Sequence, residues 1–404
     1  MRPLLIAPLV ILTMGVGACG ETSAASSAVR VDSLPGAIPR TMSTAPVERG
    51  QWTLVHARDI QPAELEPAEL IQPQDIAIAD DGSVLVVEAR PSHVKVYGPD
   101  GSFMRSIGRE GSGPGEFRSA WIAVRGDTLV VQDPQNARAT TYNWRTGALL
   151  SERRTTCCYY FPIGIDAAGR ASARAMLAPD STLGNPQAFV RFPVNGSTAD
   201  TIVVAAGHRG QESRPWIVRE GNRIRFTSIV PLQPRAYHTV NPAGAFVTGF
   251  SSEYILRRTS DGRDTTALYG RDWTTTPVSG ADKARIVDQR VEEVRQNAGA
   301  DVDAAVIRAS FDPAMIPDTR PAYDGFWLDA AGRTWVRLGS ADTTVVEFDL
   351  FDEQGRWLDV IRVEGSGWPR STWAPVALGQ REAAVILEGE DGRPLVRVYR
   401  VERR

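Results

Sequence analysis

From residue 72 onward the chain alternates short apolar runs with polar turns that carry glycine. The stretch "DIAIADDGSVLVVEARPSHVKVYGPDGSFMRSIG" predicts four strands, at Asp75–Ala79, Val84–Glu88, His93–Tyr97 and Phe103–Ile107. Val and Ile dominate these runs, and β-branched side chains suit a pleated, half-buried surface. Gly82 sits in the first turn and Gly101 in the third, where tight hairpins demand positive φ.

The unit recurs. First-turn glycines fall at Gly82, Gly126, Gly169, Gly244, Gly332 and Gly379, and third-turn glycines at Gly101, Gly147, Gly196, Gly262 and Gly355. Gly82 to Gly126 is 44 residues, Gly126 to Gly169 is 43 and Gly332 to Gly379 is 47. Four strands per unit, repeated without helices between them, predict a β-propeller. The sixth unit stops one strand short, and the strand-like "QWTLVHARDI" before the first unit is free to complete it. The fold class is therefore all-β: a six-bladed β-propeller closed by an N-terminal strand, which leaves no exposed edges in the ring.

Two segments break the period. Residues 200 to 230 look like extended hairpins. Residues 279 to 312 form a helical insertion, with Ala284, Val287, Val291, Val294 and Ala298 on one face, Ser279 or Asp282 as the cap and Gly299 as the stop. Packing on one face of the disc is its expected role. A third kind of segment, "GREGSGPGEF" at 108–117, resembles a phosphate cradle at first sight. It has neither the Lys of a P-loop nor the following helix, so it is expected to be a blade-to-blade connector, with Phe117 tucked between blades.

Ahead of the propeller, "MRPLLIAPLVILTMGVGAC" has one Arg and an apolar core too short to span a bilayer comfortably, which predicts a signal peptide over residues 1–18. Its end, "VGAC", resembles the lipobox, with Cys19 as the lipidated residue and the membrane as partner through that anchor. The alternative is a plain signal with an incidental Cys. Residues 19–49, rich in Ser, Ala, Thr and Pro, are expected to be a flexible tether, and residues 50–404 the propeller. The expected location is the bacterial cell envelope, facing the periplasm or the exterior. Cys157 and Cys158 form the remaining pair, either two thiols or a strained vicinal disulfide.

Composition narrows the functions. The 404 residues carry a net charge of -3, which provides no footprint for nucleic acid. The first unit with its exit, "QPQDIAIADDGSVLVVEARPSHVKVYGPDGSFMRSIGREGSGPGEF", resembles the NHL repeat, and "FDPAMIPDTRPAYDGFWLDAAGRTWV" matches a late blade of bacterial six-bladed propeller lipoproteins of that type. That resemblance implies the fold and little chemistry.

Related propellers that are enzymes hold zinc with several histidines or a divalent ion with channel oxygens. Of His56, His93, His208 and His238, only His238 falls on an innermost strand, so three converging imidazoles are not expected. No cofactor is predicted, although a divalent cation in the channel is compatible with oxygen ligands. The candidate channel-lining residues are Asp75, Trp121, Tyr237, His238, Tyr323, Asp324 and Trp373. The competing role is structural: Asp75 satisfying backbone donors, the aromatics packing between blades. Trp368 and Trp373 in "EGSGWPRSTWAP" are either a glycan-stacking patch or linker packing. The leading expectation is a non-catalytic module that binds or scaffolds a protein or glycan. Its rivals are a metal-dependent, gluconolactonase-like hydrolase or lyase, and a complex subunit that docks through the helical insertion.

Overall fold

The structure is a computed structural model that describes residues 28–61, 67–155, 159–176, 187–194, 200–204, 214–240, 243–298, 303–339, 344–369 and 374–404. Alternating apolar strands and glycine turns fold into six four-stranded antiparallel blades. Blade 1 runs Pro73–Ile78, Val84–Ala89, Ser92–Tyr97 and Phe103–Ile107, innermost strand first. Blade 2 is Trp121–Arg125, Thr128–Asp133, Arg138–Asn143 and Ala148–Arg154, and blade 3 is Tyr159–Ile165, Arg170–Met176, Gln187–Pro193 and Asp200–Val204. Blade 4 comprises Ala236–Val240, Phe246–Phe250, Ile255–Thr259 and Thr265–Arg271. Blade 5 comprises Gly325–Leu328, Thr334–Arg337, Val345–Phe351 and Trp357–Glu364.

Blade 6 takes Val376–Leu378, Glu382–Glu388 and Pro394–Arg403 from the C-terminus and its outer strand, Trp52–Ile60, from the other end. Trp52 pairs with Arg403 and Ile60 with Val396, so the ring closes as the pattern predicts. Antiparallel pairing puts the first and third turns of every blade on one face of the disc and the blade-to-blade connectors on the other.

The expected turn chemistry is present. Five of the six first-turn glycines have positive φ, Gly379 being the exception. The motif "DAAGR" occurs in blades 3 and 5 with the same geometry. Asp166 accepts from the backbone of Ala168 and Arg170, and Asp329 accepts from that of Ala331 and Arg333. Gly196, the third-turn glycine of blade 3, lies outside the described residues, as do Cys19, Cys157, Cys158, His208, Gly299 and Trp373.

The core is distributed over the seams between blades. Leu85, Val87, Val94 and Val96 of blade 1 meet Leu129, Val131, Tyr142 and Trp144 of blade 2 in one cluster. Comparable clusters fill the seams 2–3, 4–5, 5–6 and 6–1. At the 3–4 seam the cluster of buried residues consists of Phe189, Val240 and Phe246.

Two features differ from expectation. Residues within the expected tether form strands: Val29–Leu34 and Ile38–Ser43 make a hairpin, and the second of these runs parallel to Thr265–Arg271 on the rim of blade 4. Alternation in "VRVDSLPGAIPRTMS" was masked by the low hydrophobicity of an outer strand that has solvent on one side. The second difference concerns the helical insertion, which divides into α1, Gly280–Ala298, and α2, Ala304–Ser310.

Ser279 and Asp282 act together at the start of α1, each side chain accepting from the other's backbone N–H, a capping box. Val287 and Val291 are buried and Val294 packs beside them, but Ala284 is exposed, so the apolar face is narrower than its sequence spacing suggests. The partner of this face is the hairpin Trp216–Glu220 and Arg223–Ser228. Trp216 stacks on Phe311 with ring centroids 4.4 Å apart and donates through its indole N–H to the Asp312 carbonyl. Both insertions leave the connector face beside blade 4 and share one core there.

Candidate functional site

The inner strands of all six blades surround a cavity of about 250 Å³ on the propeller axis. Asp75 and Trp121 line it, together with Gly164, Thr239, Trp327 and Val376 from the other four blades. Most of the remaining wall is aliphatic, including Ala77, Ile122, Val124 and Leu378. A second, wider hollow of about 580 Å³ opens on the turn face between blades 6 and 1, over the strand that closes the ring. Arg58 donates to Glu382 and to the carbonyl of Gly82, two residues that line it.

Asp75 occupies the place the sequence assigns to it, and its carboxylate accepts from the backbone N–H of Ile122 at 2.8 Å. That bond ties the inner strand of blade 1 to that of blade 2. Burial pushes the Asp75 carboxyl up to about 7, against the lowering effect of the N–H groups of Ile122 and Ile76.

The other described candidates do not line the cavity. Tyr237 and Tyr323 stand 5.8 Å apart, ring to ring, in the aromatic filling between blades 4 and 5, with Phe326 and Tyr254 beside them. The Tyr323 hydroxyl is buried there without a hydrogen-bond partner among the described residues. Asp324 opens the inner strand of blade 5 on the connector face. Burial raises its carboxyl, while Arg337, Arg320 and Arg235 pull it down. Burial first, then the nearby Asp324 charge, pushes the Tyr237 hydroxyl up to about 12.

His238 turns the other way, toward Phe189 of blade 3, at 6.4 Å between ring centroids. Burial, with Arg174 and Arg257 adding to it, depresses its imidazole to about 3, and neither ring nitrogen has a hydrogen-bond partner among the described residues. It is therefore neutral at physiological pH. Trp368 is buried between Phe348 and Tyr399, which makes it packing and not an exposed patch.

Thr239 and Trp327 line the channel and were not selected from the sequence. Asp75, Trp121 and Val376 come from at or near the starts of their strands, whereas Gly164, Thr239 and Trp327 come from further along theirs. Counting two residues inward from Tyr237 reaches Thr239, and period-two alternation is the signal that could have found it. Among the described residues, no group of three or more His, Cys, Asp or Glu is placed to hold a metal ion. No helix among the described residues is long and apolar enough to cross a membrane.

No family model matches the chain, and no curated protein matches it either. Among solved structures, it resembles a DUF4221-family protein from Bacteroides vulgatus at 8% identity, covering 88% of this chain and 100% of that one, with a TM-score of 0.51. It also matches a protein thought to be exported from Bacteroides fragilis, at 11% identity over 90% and 99% of the two chains and a TM-score of 0.45. Virginiamycin B lyase from Staphylococcus aureus matches at 8% identity, over 84% and 98%, with a TM-score of 0.39. The first supports the propeller fold alone.

Proposed function

We propose that the chain is a lipid-anchored propeller of the bacterial envelope, of NHL-repeat type, that binds or scaffolds a ligand without catalysis. One observation carries this reading. The polar candidates do not converge on the axis: Asp75 is engaged with a backbone N–H, His238 faces the 3–4 seam, and Asp324 stands among arginines at the connector face. A catalytic set needs its groups within reach of one reacting atom. What remains at the connector face, Asp324 with Arg235, Arg320 and Arg337, suits recognition of a polar partner. The anchor is supported by the "VGAC" ending at Cys19.

The rival reading, a metal-dependent channel enzyme, draws on one observation: a channel carboxyl poised near neutrality is characteristic of acid–base sites. The deciding assay incubates the purified protein with Ca²⁺ or Zn²⁺ and lactone, sugar-ester and peptide substrates. Turnover at the level of the uncatalysed blank is expected. Metal-dependent turnover that disappears in Asp75→Asn or Asp324→Asn would overturn the proposal.

A further inference from the structure

We infer that the hairpin over Trp216–Ser228 docks on an anionic lipid surface beside the anchor. The inference rests on the reading of Cys19 as the lipidated residue and goes beyond it by assigning a second contact. The hairpin has two unlike faces. Trp216 and Val218 point into the core shared with α1 and α2, with Phe226 opposite Val218. Ile217, paired with Thr227, and Arg219, paired with Ile224, share the outward face and are all exposed.

Ile217, Ile224 and Ile229 are three of the nine exposed large apolar side chains among the described residues. Between residues 214 and 230 there are four arginines against the single acid Glu220, in a chain whose net charge is -3. Glu220 is occupied by Arg225 at 3.0 Å, and Arg219 and Arg223 have no ion-pair partner among the described residues. An apolar strip rimmed by arginines suits the boundary between acyl chains and anionic headgroups, where isoleucine enters and guanidinium stays at headgroup level.

Position supplies the second argument. Val29 pairs with Ser43 at the connector-face end of the rim hairpin, and the Thr44 N–H is bonded to the Ala28 carbonyl. The Asp272 N–H, at the root of the helical insertion, is bonded to the Ser43 carbonyl. The chain therefore enters the fold on the face from which the arginine hairpin rises. Only eight residues lie between Cys19 and Ala28, a reach of about 30 Å even when fully extended. A lipid on Cys19 holds this face within that distance of the bilayer.

The test uses the mature chain from Gly20 onward, made without lipid, floated on vesicles of phosphatidylcholine alone or with phosphatidylglycerol. Binding to the anionic vesicles only, lost in 0.5 M salt, is expected. Arg219→Glu with Arg223→Glu should weaken it by about tenfold or more, since each basic residue near such a surface contributes roughly a fivefold factor. Ile217→Asp with Ile224→Asp should weaken it while leaving the thermal unfolding of the propeller unchanged. Equal flotation on both vesicle types, or binding unmoved by both double variants, overturns the inference. So does self-association in sedimentation that Ile224→Asp abolishes while no vesicle binding is seen. Mass analysis of the N-terminal peptide of the full chain from bacteria separates the two readings. An unlipidated Cys19 with intact flotation removes the anchor and leaves docking standing; a lipidated Cys19 without flotation does the reverse.

Discussion

Between blades 1 and 2 the buried seam is aliphatic and aromatic with a solitary carboxyl at the channel, its Arg145–Asp81 ion pair left in solvent at the turn face, whereas between blades 4 and 5 the seam is aromatic and crossed by a buried ion pair. In the first, Phe117 from the connector is fully buried among Leu85, Val96, Leu129 and Trp144. In the second, Arg271 of blade 4 reaches Asp349 of blade 5 at 2.6 Å, and the Tyr254 hydroxyl donates to the same oxygen. The Arg271 guanidinium lies between the rings of Tyr254 and Trp357, at 4.6 and 4.7 Å from their centroids. The Tyr269 hydroxyl and Thr334 add a hydrogen bond across the same seam.

The difference follows the connectors. Blade 1 passes to blade 2 through residues 108 to 120, short enough for its own Phe117 to plug the gap. Blade 4 passes to blade 5 through residues 272 to 324, which leave the disc to build the helical insertion. Both roots of that excursion return to the seam, Trp273 at its start and the buried Ala322 and Tyr323 at its end, and side chains of the strands themselves add polar ties between the blades. The short connector seals its seam with a single phenylalanine; the long one seals with aromatic rings at its two roots, and the strands add the charged tie.

Removing the charge on one side of the tie is the strongest way to break this comparison. Asp349→Ala leaves the Arg271 guanidinium buried without a counter-charge and should cost about 3–5 kcal/mol in urea unfolding. Adding Arg271→Met should recover much of that loss, because the stranded charge is then gone. A single variant that costs under about 1 kcal/mol would show that the tie is ornamental and that the aromatics alone hold the seam.

At the other seam, Gly108→Ala should cost about 2 kcal/mol, since Gly108 has φ +70 and a Cβ there would lie 2.3 Å from the Phe117 ring. Thermal unfolding measures it. If Phe117→Ala proved much more tolerant of Gly108→Ala than the wild type, the clash and not the backbone would be the main cause.

How far these seams were legible in the sequence differs in the same way. Phe117 could be placed between blades because its position after "GREGSGPGE" is local and the repeat sets the register of both neighbours. The Arg271–Asp349 pair could not, since its members are 78 residues apart and nothing in the pattern of either strand marks a charged position as inward. The ring, its closing strand and the helical insertion were readable from glycine spacing and apolar periodicity. The candidate site was readable only in part. Asp75 and Trp121 reach the axis, but Tyr237 and His238 turn into opposite seams, because successive side chains of an inner strand point to opposite sides, and Tyr323 is buried in the 4–5 seam ahead of its strand.

The smallest expected effect tests the lone carboxyl of the aliphatic seam. Asp75 is pushed up to about 7 in the fold, well above the value it has in the unfolded chain. Between those two values the folded protein keeps a proton that the unfolded chain has released. The group therefore favours folding at acid pH, and its contribution fades as the pH rises through about 7. Asp75→Asn keeps an acceptor for the Ile122 N–H and removes the titration. The variant should match the wild type near pH 5 and exceed it by about 1–2 kcal/mol at pH 8, a fraction of the full shift because the carboxyl borders the channel. Asp349→Asn should instead lose stability at both pH values: burial raises the Asp349 carboxyl as well, but the variant leaves the Arg271 guanidinium without its counter-charge. Parallel pH profiles for the two variants would erase the distinction between a solitary carboxyl and a paired one, and with it the physical contrast between the seams.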